Sequence, residues 1–222
     1  MILIIITISN LQIVTKTKFF IMKNTCILIL LFTIIFSSCK AQNAPLYQMN
    51  PDLPEGTHFK DLDNNLDNFE GTWKWQSNDS IITIVLQKKE DVYDSDYNQY
   101  EDYLVGEYKF TVGNIVVQDY LSRLDDNSLT GLDHYIAGNT ILHRNQKPIC
   151  DECALDERQI FTYFTDPLYE YIHSAMVLRY KVENGVEKIN VVFYGYDTFI
   201  APSVNSPLEN RIPFGDYTFI KQ

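Results

Sequence analysis

Met176-Val177-Leu178-Arg179-Tyr180-Lys181-Val182-Glu183-Asn184-Gly185-Val186-Glu187-Lys188-Ile189-Asn190-Val191-Val192-Phe193 reads as a β-hairpin. Asn184-Gly185 tolerates the positive φ angles that a type I′ turn demands. Pairing Glu183 with Val186 then sets Tyr180 against Ile189, Leu178 against Val191 and Met176 against Phe193 on one side, with Arg179 meeting Asn190 on the other. A slip of one residue would scramble that apolar face, so turn and alternation specify the same register.

The same period of two recurs along the chain. Trp73 and Trp75 share one face of a strand, while Thr72, Lys74 and Gln76 share the other. Ile81 to Leu86 is apolar on both faces apart from Thr83, as expected for a strand covered on both sides. Tyr108, Phe110 and Val112 alternate with Glu107, Lys109 and Thr111, and Gly113-Asn114 offers a two-residue turn into Ile115-Val116-Val117. Ile160 to Phe164 and Tyr217 to Ile220 add further strands. About seven to ten strands with little helix predict a mainly β chain, a single antiparallel β-barrel or a β-sandwich. Ahead of it, Leu62, Leu66 and Phe69 fall at i, i+4 and i+7 behind a possible Asp61 N-cap, which predicts one short helix.

The chain begins with a targeting pattern. Met22-Lys23, the eleven-residue run from Cys26 to Phe36, apolar apart from Thr33, and small Ser37 and Ser38 reproduce the basic, apolar and cleavage regions of a secretory signal. The run is too short for a membrane span, which needs roughly 20 residues. Phe36-Ser37-Ser38-Cys39-Lys40 resembles a bacterial lipoprotein cleavage site, with Phe36 where such sites more often carry Leu. The resemblance implies cleavage before Cys39, acylation of its thiol and amino group, and an anchored protein of the cell envelope. Lys40 after the cysteine suggests release to the outer membrane; the alternative is an ordinary secretory signal cut near Ala41-Gln42. The domain reading is 1–21 as a stretch ahead of the true start, 22–38 as signal peptide, 39–58 as a flexible tether punctuated by Pro45, Pro51 and Pro54, and 59–222 as one β domain.

Removing residues 1–38 deletes Lys16, Lys18 and Lys23 and no acid, leaving 15 basic against 29 acidic residues, a net charge of −14. Such a surface repels phosphate backbones and argues against nucleic acid as a partner. The 15 Tyr and 13 Phe fit β-structure and supply core and interface surface.

Gly71-Thr72-Trp73, entered from a helical turn, resembles the start of lipocalin-like (calycin) barrels, where a G-x-W triplet opens the first strand and the Trp plugs the closed end. In that family a basic residue near the last strand packs on the Trp, and Arg211 and Lys221 are the candidates here. The order Lys60-Asp61-Leu62-Asp63-Asn64-Asn65-Leu66-Asp67, Gly71-Thr72-Trp73-Lys74-Trp75, Leu86-Gln87-Lys88-Lys89 and Leu104-Val105-Gly106-Glu107-Tyr108-Lys109 also resembles a family of uncharacterised lipoproteins from Bacteroidota. That resemblance implies a location and a β-fold, and no activity.

Cys150-Asp151-Glu152-Cys153 predicts a local disulfide pinning the long loop from about Leu121 to Glu157. A redox role is disfavoured because Asp151 and Glu152 push a thiol pKa upward. A zinc site with His143, Cys150 and Cys153 lacks a fourth ligand. Asp94, Asp96 and Asn98 with Glu101 and Asp102, and Asp61, Asp63, Asn65 and Asp67, space oxygens as calcium loops do but lack the sixth-position Gly. His58, His134, His143 and His173 are scattered, and no hydrolase, P-loop or dinucleotide motif occurs. The expectation is a non-enzymatic envelope protein without cofactor or metal. One reading is a carrier of a small apolar ligand, with Trp73 and Trp75 at one end of a cavity; the alternative is a protein- or glycan-binding module with contiguous exposed aromatics on one sheet face.

Overall fold

In a computed structural model the predicted strands close on themselves. The structure describes residues 42–46, 53–198 and 200–222; the signal segment, the Met22 start and Cys39 lie outside them. The strands are β1 (Asn43–Pro45), β2 (His58–Lys60), β3 (Gly71–Ser77), β4 (Ser80–Asp94), β5 (Gln99–Val112), β6 (Ile115–Asp119), β7 (Ile136–His143), β8 (Arg158–Phe164), β9 (Ser174–Glu183), β10 (Val186–Gly195) and β11 (Gly215–Lys221). Eight of them, β3, β4, β5, β7, β8, β9, β10 and β11, each pair antiparallel with the next. β11 then returns to β3 through Ile220 opposite Lys74 and Lys221 opposite Trp73. The ring has no free edge, so this is a closed barrel and not a sandwich.

The β9–β10 hairpin has the register that its sequence specifies, with Glu183 opposite Val186 and Met176 opposite Phe193. Its turn is left-handed at both positions, Asn184 at φ 53° and Gly185 at φ 78°. β5, at 14 residues, serves four neighbours: β4 and β7 within the ring, β6 beyond one end, and β2 in parallel at its start.

Three features depart from the sequence reading. The expected helix is a turn followed by a single 3-10 segment, Asp67–Phe69, and no helix of 7 or more residues occurs among the described residues. The cause lies in Asp61, whose carboxylate accepts the backbone N–H groups of Asn65 at 2.9 Å and Leu66 at 2.8 Å and so folds the segment into a tight turn. The stretch read as a tether includes β1, parallel to β2, with Ala44 and Leu46 buried in the main core. The region expected to be one long loop contains β7, half of the seam that closes the ring on β5.

Inward-facing side chains form one contiguous core. Trp73, Ile84, Tyr108, Ile160, Leu178 and Phe219 are all at most 1% exposed. Each contributes about 1.5–3 kcal/mol of burial. At the end where β8 stops and β9 starts, rings run in contact from Tyr135 to Tyr120 (4.8 Å), Tyr108 (5.4 Å), Phe164 (4.8 Å), Phe193 (4.8 Å) and Phe214 (5.1 Å). Arg211 ties that end together, donating from Nη2 to buried Asp166 at 2.5 Å and to the Tyr120 hydroxyl at 3.2 Å. Burial alone would raise the Asp166 carboxyl, but the hydrogen bonds it accepts from the Arg211 guanidinium and from the Leu168 and Arg211 backbones outweigh it and hold it below its usual value.

Candidate functional site on the outer wall

Trp73 is a plug. Its Nε1 donates to the Phe69 carbonyl at 2.7 Å, which fixes the turn against the strand, and the Lys221 ammonium lies 5.3 Å from its ring centroid. Of the two basic candidates, Lys221 therefore packs on the Trp, while Arg211 sits at the other end on Asp166. The Lys221 stem also comes within 3.3 Å of where a Cβ on Gly71 would stand, so a side chain there would displace it. Trp75 shares the inward face, is partly buried, and meets Tyr217 edge-on at 4.9 Å. Neither Trp lines any of the three pockets described along the surface, which lie chiefly against loops and outward-facing residues.

Cys150 and Cys153 are paired, with their Cα atoms 5.4 Å apart. Glu152 between them accepts from Arg179 Nη1 at 2.7 Å, and Glu157 accepts from Arg179 Nη2 at 3.1 Å and from Nε, which straps the disulfide turn to β9. Among the described residues no three His, Cys, Asp or Glu side chains come together to hold a metal. The acids at calcium-like spacing are occupied: Asp94 accepts from the Asp96 and Tyr97 backbones at 2.8 and 3.3 Å. Glu101 accepts from Gln99 and Asn139, each at 2.5 Å, and Asp102 from the backbones of Asp61 at 2.9 Å and Asp91 at 3.1 Å.

The feature that sequence reasoning missed lies where the segment Tyr120–Tyr135 crosses the outside of β5 and β7. Glu107, outward on β5, is fully buried beneath it. The Glu107 carboxylate Oε1 stands 3.1 Å from His134 Nδ1 and 3.4 Å from Arg123 Nε, and the Arg123 guanidinium stacks 4.1 Å over the Tyr135 ring. Burial pushes Glu107 up to about 7, against the pull of Arg123. Burial, with Lys89 and Arg123 nearby, pushes the His134 imidazole down. When Glu107 is ionised, His134 holds its proton on Nδ1 and turns Nε2 into a bare acceptor. That Nε2 is buried and has no partner.

His134 forms part of the wall of a pocket of about 270 Å³ on the barrel's outer face. The outward alternation of β8 sets Phe161 and Tyr163 beside it, and the loops after β8 and β10 add Glu170, His173 and Tyr196. Phe161 and Tyr163 meet at 5.2 Å, Tyr163 and Tyr196 at 5.5 Å, and His173 stacks on Tyr196 at 6.0 Å. Tyr163 and Tyr196 are each 43% exposed. The surface aromatics here are thus contiguous. The sequence reading places a strand at Ile160 to Phe164 but does not single out Phe161 or Tyr163, and it does not bring His134 to Glu107 or to the pocket that it shares with Tyr196.

The pocket brings together half-exposed aromatic rings, Glu170, and the His134 imidazole, whose buried Nε2 has no partner and is an acceptor when Glu107 is ionised. No curated protein and no solved structure matches this chain. A family model does match it across residues 22–222, and the chain belongs to that family, a family of unknown function (DUF6705).

Proposed function

We propose that this protein is a binding module of the cell envelope whose ligand is a glycan, held in the aromatic-rimmed pocket on the outer wall of the barrel. The observation that carries this is the joining of contiguous, half-exposed Tyr163 and Tyr196 with the buried, unpartnered His134 Nε2. A sugar ring has an apolar face of C–H groups, which packs on an aromatic ring, and an edge of hydroxyls. With Glu107 ionised, His134 Nε2 is an acceptor, and beside the Glu170 carboxylate it favours hydroxyl donors over anions. Leaving a buried acceptor unpaired costs about 1–3 kcal/mol, which a ligand hydroxyl recovers. An apolar carrier is the weaker reading, because the inward faces that would line its cavity are packed against one another.

Cys39 is the proposed lipid attachment point, with the outer membrane as the proposed location. The described chain joins the barrel beside the start of β5, through β1 and β2, at the end opposite the pocket. Calorimetric titration of the full-length protein against a panel of neutral oligosaccharides tests the glycan reading. Tyr163→Ala and Tyr196→Ala should each weaken the best ligand by about tenfold, the worth of one lost stacking contact. Affinity unchanged in both variants would refute it.

A further inference from the structure

Beyond the pocket, the outer wall carries a groove of about 250 Å³ between the disulfide turn and the strands β9 to β11. Pro148 and Ile149 form its outer lip, and Val177 and Val192 its apolar floor. Gln159 also lines it, only 4% exposed, and its Nε2 has no hydrogen-bond partner. A buried amide donor without a partner is costly, and a ligand acceptor that reaches it recovers the cost.

The groove and the pocket lie on one track. Gln159, Phe161 and Tyr163 are successive outward residues of β8. Four residues of strand span about 13 Å, the length of a few linked sugar rings. Phe161 lies between Gln159 and Tyr163 on the strand and makes its ring contacts on the pocket side, with Tyr163 at 5.2 Å and Tyr196 at 6.2 Å.

We propose that pocket and groove are subsites of one elongated site, and that its ligand is a linear oligosaccharide bearing an acetamido group, whose carbonyl accepts from Gln159 while its methyl rests on Val177 and Val192. This rests on the glycan reading above. The chemistry of the groove selects the group. A donor beside aliphatic side chains matches a carbonyl beside a methyl. An anion is disfavoured, since Arg179, the cation of the groove, already holds Glu152 and Glu157, and Asp216 adds a further negative charge.

The experiment is calorimetric titration of the full-length protein with β-1,4-linked N-acetylglucosamine oligomers from monomer to pentamer, set against the matching glucose oligomers. Affinity in the acetylated series should climb by about tenfold between dimer and tetramer and stay flat in the glucose series. Gln159→Leu should return the tetramer to the affinity of the dimer, and Gln159→Glu, which keeps the shape and removes the donor, should do the same. A climb that is equal in both series, or that survives both substitutions, overturns the inference while leaving the pocket intact. Failure of every oligomer to bind overturns the inference, and the glycan reading is then decided separately by the wider oligosaccharide panel and the Tyr163 and Tyr196 variants.

Discussion

Glu107 is buried with one oxygen facing Arg123 and His134 and the other, Oε2, without a partner. Its carboxyl is raised from an ordinary 4.5 to about 7, so between those pH values the folded chain binds a proton that the unfolded chain has lost. Stability therefore falls as pH rises through that window and levels off above it, by at most about 3 kcal/mol. His134 acts in the opposite direction: its pKa is lowered, so its contribution improves as pH rises toward its unfolded value of 6.5. Glu107→Gln separates the two. The variant should match the wild type near pH 5 and be more resistant to urea near pH 8, where the wild type holds a buried charge. An identical difference in urea midpoint at both pH values would show that Glu107 does not titrate in this window. The sequence offers little warning of any of this. Glu107 sits at a polar position of an alternating strand and does face outward, but Tyr120–Tyr135 covers that face.

Elements were legible where local chemistry and tertiary packing agree. In the β9–β10 hairpin the turn residues and the apolar alternation select one register, and that register forms. β7 hides because Ala137, Gly138 and Asn139 carry little strand signal, and because its pairing with β8 slips between Ala137 and Thr140. The slip has a use. β7 must approach β8 closely while closing the ring on β5, and a Cβ on Gly138 would run into the Phe161 carbonyl and come within 2.7 Å of Thr162 Cα. Backbone cannot rotate away as a side chain can. Gly138→Ala should therefore destabilise the barrel by about 2–3 kcal/mol. For a chain of this size that is about 5–10 °C in Tm, readable by thermal unfolding. A Tm within a degree or so of the wild type would mean that the seam yields. The 61–69 segment teaches the converse, since helical spacing of Leu62, Leu66 and Phe69 is present without a helix: Asp61 competes for the backbone donors that a helix would use.

For the whole molecule, the excess of acid and the closed wall suit a protein that stays monodisperse among anionic surfaces. The proposed lipid attachment at Cys39 is open to a direct test. Cys39→Ser should move the protein from the membrane fraction to the soluble fraction of the envelope and abolish incorporation of labelled palmitate. Unchanged fractionation and no label in the wild type would leave the ordinary secretory signal as the explanation. The barrel's final seam sets a different constraint. It joins positions 73 and 221 through only two residue pairs, and Lys221 both completes the ladder and covers Trp73. Every other pair in the ring joins strands that follow one another along the chain, apart from the short β6 between β5 and β7, whereas this pair must wait for nearly the whole chain. Until then β3 and β11 are bare edges, open to pairing with another molecule. Closure of this seam is therefore the step with which a second copy of the chain competes, and it is complete only when residues 220 and 221 reach positions 74 and 73.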